Sequence, residues 1–424
     1  MDTNENQTLN FETITRFFGK KRLMWIIVGI VAVVVVAAVV IPAAIILTHK
    51  KTTITEVGST TTITEVRSTT TTISTETSTA ISPETSATVS TETSTVQPFY
   101  KNWVQTNSMN DPRNAHTASV LQNGKLLVTG GFGLKSAELY DPSAAAWTLI
   151  NPMNDERYWH SASVLLDGKV LVAGGCHNVN QYLRSSELYD PVTEIWAKTG
   201  SMNSERCQHT ESVLSDGMVL AAGGYDNSGE LNSAELYDPS TETWTPITNM
   251  KYARKWHQAS VLDNGKILVT GGLTDSAELY DPATKSWTTT GTMNYERAWH
   301  TASVLKNGKV LVAGGASRNI RSAELYDSET GNWTITGSLN SGRHVHAASV
   351  LINGHVLVSG GTNRYTTFYF SSSEIYDPLT EIWSISGDMN CQRYRHQSSI
   401  LANRTVLVTG AEERGSSTCN AELY

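Results

Sequence analysis

The chain lacks the excess of basic residues that nucleic-acid-binding proteins carry in patches or stripes. It contains 32 Lys and Arg against 40 Asp and Glu, for a net charge of −8. No basic stripe runs along any segment, so nucleic acid is not an expected partner.

Charge is absent altogether between Leu23 and Leu47. An apolar run of this length is sufficient for one transmembrane helix with some tilt. Basic residues crowd its N-terminal flank, which by the positive-inside rule places residues 1–22 in the cytoplasm and everything after residue 47 outside. The alternative is a cleaved signal peptide, since Pro42 is followed by small residues.

Large apolar side chains are nearly absent from residues 48–98. Between Thr52 and Pro98, 27 of 47 residues are Ser or Thr. Such a segment buries too little surface to offset its ordering entropy, so we expect an extended, disordered stalk. Outside the cell this composition is typical of O-glycosylated spacers; an unmodified linker is the alternative.

Residues 99–424, in contrast, contain one pattern seven times. A Trp is followed by an Arg ten residues later and a His three residues after that; the seven histidines are His116, His160, His209, His257, His300, His346 and His396. A period of about 43 to 50 residues indicates an array of supersecondary units.

Each unit is predicted to form four short strands. Two apolar runs flank an Asn-Gly or Asp-Gly turn in six units, which predicts type I′ hairpins. An Ala-Glu-Leu-Tyr strand and a strand carrying the Trp follow. Seven copies of strands a, b and c precede only six Trp strands, so Trp103 is predicted to supply strand d of the last blade. The sequence therefore predicts an all-β, seven-bladed propeller closed by an N-terminal strand.

The paired glycines, the Glu-Leu-Tyr-Asp-Pro segment, the Trp and the Met-x-x-x-Arg-x-x-His entry to the next unit resemble the kelch motif. The resemblance covers Trp103 to Tyr424 and implies a kelch β-propeller. It leaves no room for the BTB-type domain of kelch ubiquitin-ligase adaptors. In some kelch domains, arginines on one face contact acidic peptides, which makes Arg113 and its six equivalents secondary contact candidates.

All length variation falls in the loop between strands b and c. A fixed framework with variable loops on one face is typical of a binding surface. The predicted ligand-binding residues are Tyr182, Arg184, Asp226, Arg318, Arg364, Tyr365, Phe368, Tyr369 and Arg414. Aromatic residues and Arg are common interface anchors; those of the blade 6 loop either meet a partner or fold back onto the neighbouring blade.

No catalytic residues, metal site or cofactor are predicted. Equivalent histidines are spread around a propeller axis, whereas one zinc ion needs four ligands close together. We expect the repeated His and Arg to hydrogen-bond between blades. Galactose oxidase, a copper enzyme with a kelch propeller, is the enzymatic alternative, but Trp159 stands where that family has Tyr before the His.

The four cysteines are predicted to pair as Cys176 with Cys207 and Cys391 with Cys419, consistent with an oxidising compartment; free thiols are the alternative. Asn332 and Asn403 lie in glycosylation sequons that are usable if the propeller is outside the cell, and Asn6 in one usable only in the inverse orientation. The sequence thus predicts a single-pass type II membrane protein displaying a binding or adhesion module for an unidentified protein or glycan. A cytoplasm-facing kelch scaffold is the second interpretation.

Overall fold

Seven four-stranded antiparallel sheets make up the protein in its computed structural model, which describes residues 102–178, 181–316, 321–363, 369–410 and 421–424. These residues belong to the unit Thr93–Tyr424. They contain strands and no helix, so none of them forms a helix that could span a membrane. The predicted cytoplasmic head, membrane span and stalk lie outside the described residues.

Within blades 1 to 6, strands a to d follow one another in space as they do in sequence. Blades 1 to 3 comprise Thr117–Val120, Leu126–Thr129, Ala137–Asp141 and Ala146–Ile150; Ser161–Val164, Val170–Ala173, Ser186–Asp190 and Ile195–Thr199; and Thr210–Val213, Val219–Ala222, Ala234–Asp238 and Thr243–Pro246. Blades 4 to 6 comprise Gln258–Val261, Ile267–Thr270, Ala277–Asp281 and Ser286–Thr289; Thr301–Val304, Val310–Ala313, Ala323–Tyr326 and Trp333–Thr336; and Ala347–Val350, Val356–Ser359, Ser373–Asp377 and Ile382–Ser386.

Blade 7 joins the two ends of the propeller. Its strands a to c are Gln397–Ile400, Val406–Thr409 and Ala421–Leu423, and its strand d is Val104–Gln105, which pairs antiparallel with the last of them. The Trp103 indole N–H donates to the carbonyl of Gly387 in blade 6 at 2.9 Å. The predicted blade number and closure are confirmed, and pairing of the outermost strand leaves blade 7 as complete as the others.

Strand alternation divides the loops between two faces. The b–c loops and the d–a connections leave the sheets at one end of the strands, here called the mouth face. The a–b and c–d turns leave at the other end, the opposite face. Two b–c loops form small hairpins of their own, Cys176–Asn178 with Gln181–Tyr182 and Tyr225–Asp226 with Gly229–Glu230.

The a–b turns differ from the type I′ prediction. In the a–b turn of blade 1 only Gly124 has a positive φ, of 81°, and its N–H donates to the carbonyl of Leu121 at 2.9 Å. This is a type I turn followed by one left-handed residue, the three-residue hairpin with a bulge. The prediction of type I′ was therefore wrong, because Asn-Gly suits both turns. Arg404 takes the glycine position in blade 7 with a φ of 70°.

A buried ion pair ties the d–a connection to strand c in every blade. In blade 4, Arg254 Nη2 lies 2.8 Å from Glu278 Oε1, and its Nη1 donates to the carbonyl of Gly271. Each of the seven guanidinium groups has 0% side-chain exposure; the other pairs are Arg113–Glu138, Arg157–Glu187, Arg206–Glu235, Arg297–Glu324, Arg343–Glu374 and Arg393–Glu422. The arginines bond within their own blade, not between blades as predicted, and their burial removes them as ligand contacts.

Candidate ligand-binding site at the channel mouth

The repeated histidines lie at the start of strand a and join neighbouring blades around the central axis. His160 Nε2 contacts the hydroxyls of Thr117 and Thr129 in the preceding blade at 3.0 and 3.2 Å. Burial, followed by the nearby arginine charge, lowers the pKa of His116, His209 and His257 to about 3. The other four histidines are shifted in the same direction. All seven are therefore neutral at pH 7.

The residue before each histidine forms what we call the mouth ring. Its members all have left-handed backbones, with φ between 49° and 59°; they are Ala115, Trp159, Gln208, Trp256, Trp299, Val345 and Arg395. Left-handed conformations are costly for non-glycine residues, and for a β-branched residue such as Val345 in particular. They persist only where the surroundings enforce them, and such positions concentrate at functional sites.

Backbone hydrogen bonds between neighbouring members hold the ring. The N–H of Trp159 donates to the carbonyl of Ala115 at 2.9 Å, and the N–H of Gln208 donates to the carbonyl of Trp159 at 3.0 Å. The same bond links Trp299 to Trp256, Val345 to Trp299, Arg395 to Val345 and Ala115 to Arg395. The main chain is thus constant around the mouth while the side chains differ from blade to blade.

A cavity of about 410 Å³ opens at this ring, and every blade contributes to its wall. Its volume is in the range of small-molecule sites. Most lining side chains are aromatic, small, or neutral and polar, including Gln208, Gln258 and Gln397. Because the histidines are neutral, Arg395 is the one charged residue at pH 7 among the described residues that line the cavity.

Aromatic rings surround the mouth in two groups. On blades 4 to 6, the rings of Trp256 and Trp299 lie 4.0 Å apart, with Lys255 Nζ 4.5 Å from the first and His344 5.9 Å from the second. Across blades 7 and 2, the Arg395 guanidinium lies 4.8 Å from the Trp159 ring and 5.0 Å from the Tyr394 ring.

The predicted b–c loop residues border this region. Tyr182 meets Tyr225 edge-on at 5.0 Å, and Tyr369 stacks on Tyr394 at 4.1 Å. Tyr369 therefore folds back onto the neighbouring blade, one of the two alternatives for its loop. Asp226 accepts a hydrogen bond from the N–H of Ser228 at 2.7 Å and so stabilises its own hairpin. Arg184 is exposed. The remaining predicted residues, Arg318, Arg364, Tyr365, Phe368 and Arg414, lie outside the described residues.

A disulfide joins two elements of the mouth face. Cys176 in the blade 2 loop bonds to Cys207 in the connection to blade 3, with the Cα atoms 5.4 Å apart. Both are buried in a cluster with Tyr158. Cys391 is also disulfide-bonded; its predicted partner, Cys419, lies outside the described residues.

The two predicted glycosylation sites lie on the opposite face. Asn332 is exposed in the c–d turn of blade 5, and Asn403 is exposed in the a–b turn of blade 7. Glycans at these positions would leave the mouth face accessible.

The mouth ring was missed by sequence reasoning, which followed variation in loop length. The available signal was variation in residue type: the position before the His ranges from Ala to Trp to Arg, while the Arg and His flanking it recur in every unit.

No group of three or more His, Cys, Asp or Glu among the described residues is placed to hold a metal ion. The Nε2 atoms of seven-fold related histidines such as His160 and His209 bond to hydroxyl groups between blades.

Seven blades arranged around a shared cavity define a β-propeller. A family model described as the KLHDC2/KLHL20/DRC7 Kelch-repeats domain matches residues 82–272, and a Kelch motif model matches residues 343–390. The chain belongs to the kelch-repeat β-propeller family.

No curated protein matches the chain. Among solved structures it is similar to a novel fungal alcohol oxidase of the AA5 family in complex with copper, with 19% sequence identity and a TM-score of 0.64. The match covers 76% of this chain and 75% of that chain. At this identity the likeness shows the fold alone.

Proposed function

We propose that this protein is a membrane-anchored binding module that displays the mouth face of its propeller outside the cell. The observation that carries the proposal is the mouth ring, which presents five different residue types at seven positions of one repeated backbone around a cavity of about 410 Å³. Repeated main chain with varied side chains is the arrangement of a rigid scaffold that carries a binding site.

Three further features support the orientation. Strand d of blade 7 is antiparallel to the strand that ends the chain, so the chain enters the propeller from the opposite face at Asn102. Asn332 and Asn403 are exposed on that same face, and the Cys176–Cys207 disulfide is typical of an oxidising compartment.

Glycan mapping of the full-length chain from eukaryotic cells tests the topology. We expect glycans on Asn332 and Asn403, and none on Asn6. A glycan on Asn6 would instead support the cytoplasm-facing scaffold, because each sequon is modified only on the lumenal side. The matched variants Asn332→Gln and Asn403→Gln would each lower the mass of the protein by that of one N-linked glycan.

The binding role is tested at Trp256 and Trp299. Alanine already occupies the equivalent position in blade 1 as Ala115, so Trp256→Ala and Trp299→Ala are compatible with the backbone. We expect full-length protein on cells to lose ligand binding with these changes, while Lys198→Gln on an exposed outer strand leaves it intact. Binding that survives both tryptophan changes would place the site elsewhere.

That the chain is not an enzyme remains a prediction. Copper content and alcohol oxidation by the purified full-length chain would test it; stoichiometric copper with turnover would overturn it.

A further inference from the structure

We propose that the mouth cavity binds a carboxylated sugar residue, with its carboxylate on Arg395. This inference rests on the proposed binding role of the mouth and names the ligand class.

Arg395 is a cation held ready for an external anion. Its guanidinium lies between the rings of Trp159 and Tyr394, at 4.8 and 5.0 Å. Among the described residues, no ion pair or side-chain hydrogen bond engages it. The aromatic rings hold the planar group by cation–π contacts but accept none of its conventional N–H···O hydrogen bonds. Its donors are therefore available in the fork geometry that matches a carboxylate.

Charge complementarity selects an anionic ligand with a single acidic group. Arg395 is the one charge at pH 7 among the described residues of the cavity wall, and no acidic side chain competes for it there. Lys255, another cation on the mouth face, already has Glu230 Oε1 at 3.4 Å and lies over the Trp256 ring. A ligand with one carboxylate and otherwise neutral groups fits this distribution.

The rest of the cavity wall matches neutral hydroxyl groups. The amides of Gln208 and Gln258 line it, as do Thr210 and Thr301, whose hydroxyls already bond to His257 and His346 of the next blades. Six of the seven neighbouring pairs in the mouth ring are joined by a backbone N–H···O bond, as Trp159 is with Ala115. An extended peptide would therefore find few main-chain partners here, whereas a sugar ring needs only side-chain donors and acceptors.

The sequence supplies a conservative variant and a control. Glutamine stands at the equivalent left-handed position in blade 3 as Gln208, so Arg395→Gln removes the charge at a position where the backbone accepts that residue. Lys198→Gln removes one positive charge from the exposed outer strand of blade 2. The two variants change net charge equally and differ only in place.

The experiment measures binding of glucuronic acid and N-acetylneuraminic acid to the full-length chain by isothermal titration, with glucose and an N-acetylated peptide bearing a free C-terminal carboxylate as comparisons. We expect at least one acidic sugar to bind at least tenfold more tightly than glucose. Arg395→Gln should reduce that affinity to the level of glucose, and Lys198→Gln should leave it unchanged. Thermal unfolding of each variant verifies that it is folded.

Equal affinity for acidic and neutral sugars would overturn the inference, as would unchanged affinity in Arg395→Gln or binding confined to the peptide. Failure here is distinguishable from failure of the proposed function. If cell-surface binding still depends on Trp256 and Trp299 while acidic sugars do not bind, only the ligand class is wrong. If neither depends on the mouth, both proposals fail.

Discussion

Replacement of Glu211 by alanine should stabilise the propeller at alkaline pH and have little effect at acidic pH. Glu211 stands in strand a of blade 3 at a position where five other blades have alanine, among them Ala118 and Ala162. Its Oε2 accepts a hydrogen bond from Ser163 Oγ at 2.8 Å. Burial raises the pKa of Glu211 to about 7, against hydrogen bonds from Ser161 and Ser163 that lower it.

The sign follows from proton linkage. The folded pKa lies above the unfolded value near 4.5, so the folded state binds more protons between these two values. The stability that depends on protonated Glu211 is therefore fully present below about pH 4.5 and is lost as pH rises through about 7. Relative to a residue with the unfolded pKa, the raised pKa of Glu211 destabilises the folded state by about 3 kcal/mol at pH 8 and about 1 kcal/mol at pH 5, at roughly 1.4 kcal/mol per pKa unit. Loss of the Ser163 hydrogen bond offsets about 1 kcal/mol at both values.

Urea unfolding of the wild type and Glu211→Ala at pH 8 and pH 5 measures the difference. We expect the variant to gain about 2 kcal/mol more, relative to wild type, at pH 8 than at pH 5. Glu211→Gln, which keeps the size but cannot ionise, should show the same pH dependence. A change in unfolding free energy that is equal at the two pH values would refute the reasoning, since packing effects do not titrate.

Three further predictions address the scaffold. The seven buried histidines have lowered pKa values, so the unfolded state binds more protons than the folded state below about pH 6.5. The free energy of unfolding should therefore fall steeply from pH 6.5 towards pH 4. His160→Gln should reduce the proton uptake measured on unfolding by about one proton. Arg404→Gly should raise the unfolding free energy by about 0.5 to 1 kcal/mol, because Arg404 has a φ of 70° where six blades have glycine; a lower melting temperature would contradict this. Cys176→Ser with Cys207→Ser should cost about 3 to 4 kcal/mol, since the bond spans 31 residues, and reducing agent should remove most of that difference between the variant and the wild type.

The blade number and the closure were predictable because each depends on counting. Strand order within a unit follows from turn signals and apolar runs at fixed spacing, and the surplus Trp103 strand had a single unpaired place to occupy. The Cys176–Cys207 pairing was suggested for a similar reason, since both cysteines precede or follow strands whose ends meet on the mouth face.

The partners of the repeated arginines were not predictable in the same way. Arg113 and Glu138 are 25 residues apart, whereas Arg343 and Glu374 are 31 apart, because the variable b–c loop lies between them. A constant spacing therefore does not identify the Arg–Glu pairs, although each Arg pairs with the Glu in strand c of its own blade. The turn type was also ambiguous, because Asn-Gly occurs in type I′ turns and in type I turns with a bulge. The two differ in the sign of φ at Asn123, which the Asn-Gly pair does not determine.

The mouth ring shows why repeated and non-repeated residues have different roles. Residues that recur in every blade, such as Arg254 with Glu278, are buried and bond within the scaffold, so they hold the backbone but cannot contact a ligand. Because that scaffold fixes the left-handed backbone at the ring, each ring position accepts side chains from Ala115 to Trp299 without a change of fold. The free energy of recognition must then come from residues that break the repeat, and within the described part of the chain Arg395 is the one such residue that brings charge to the cavity wall.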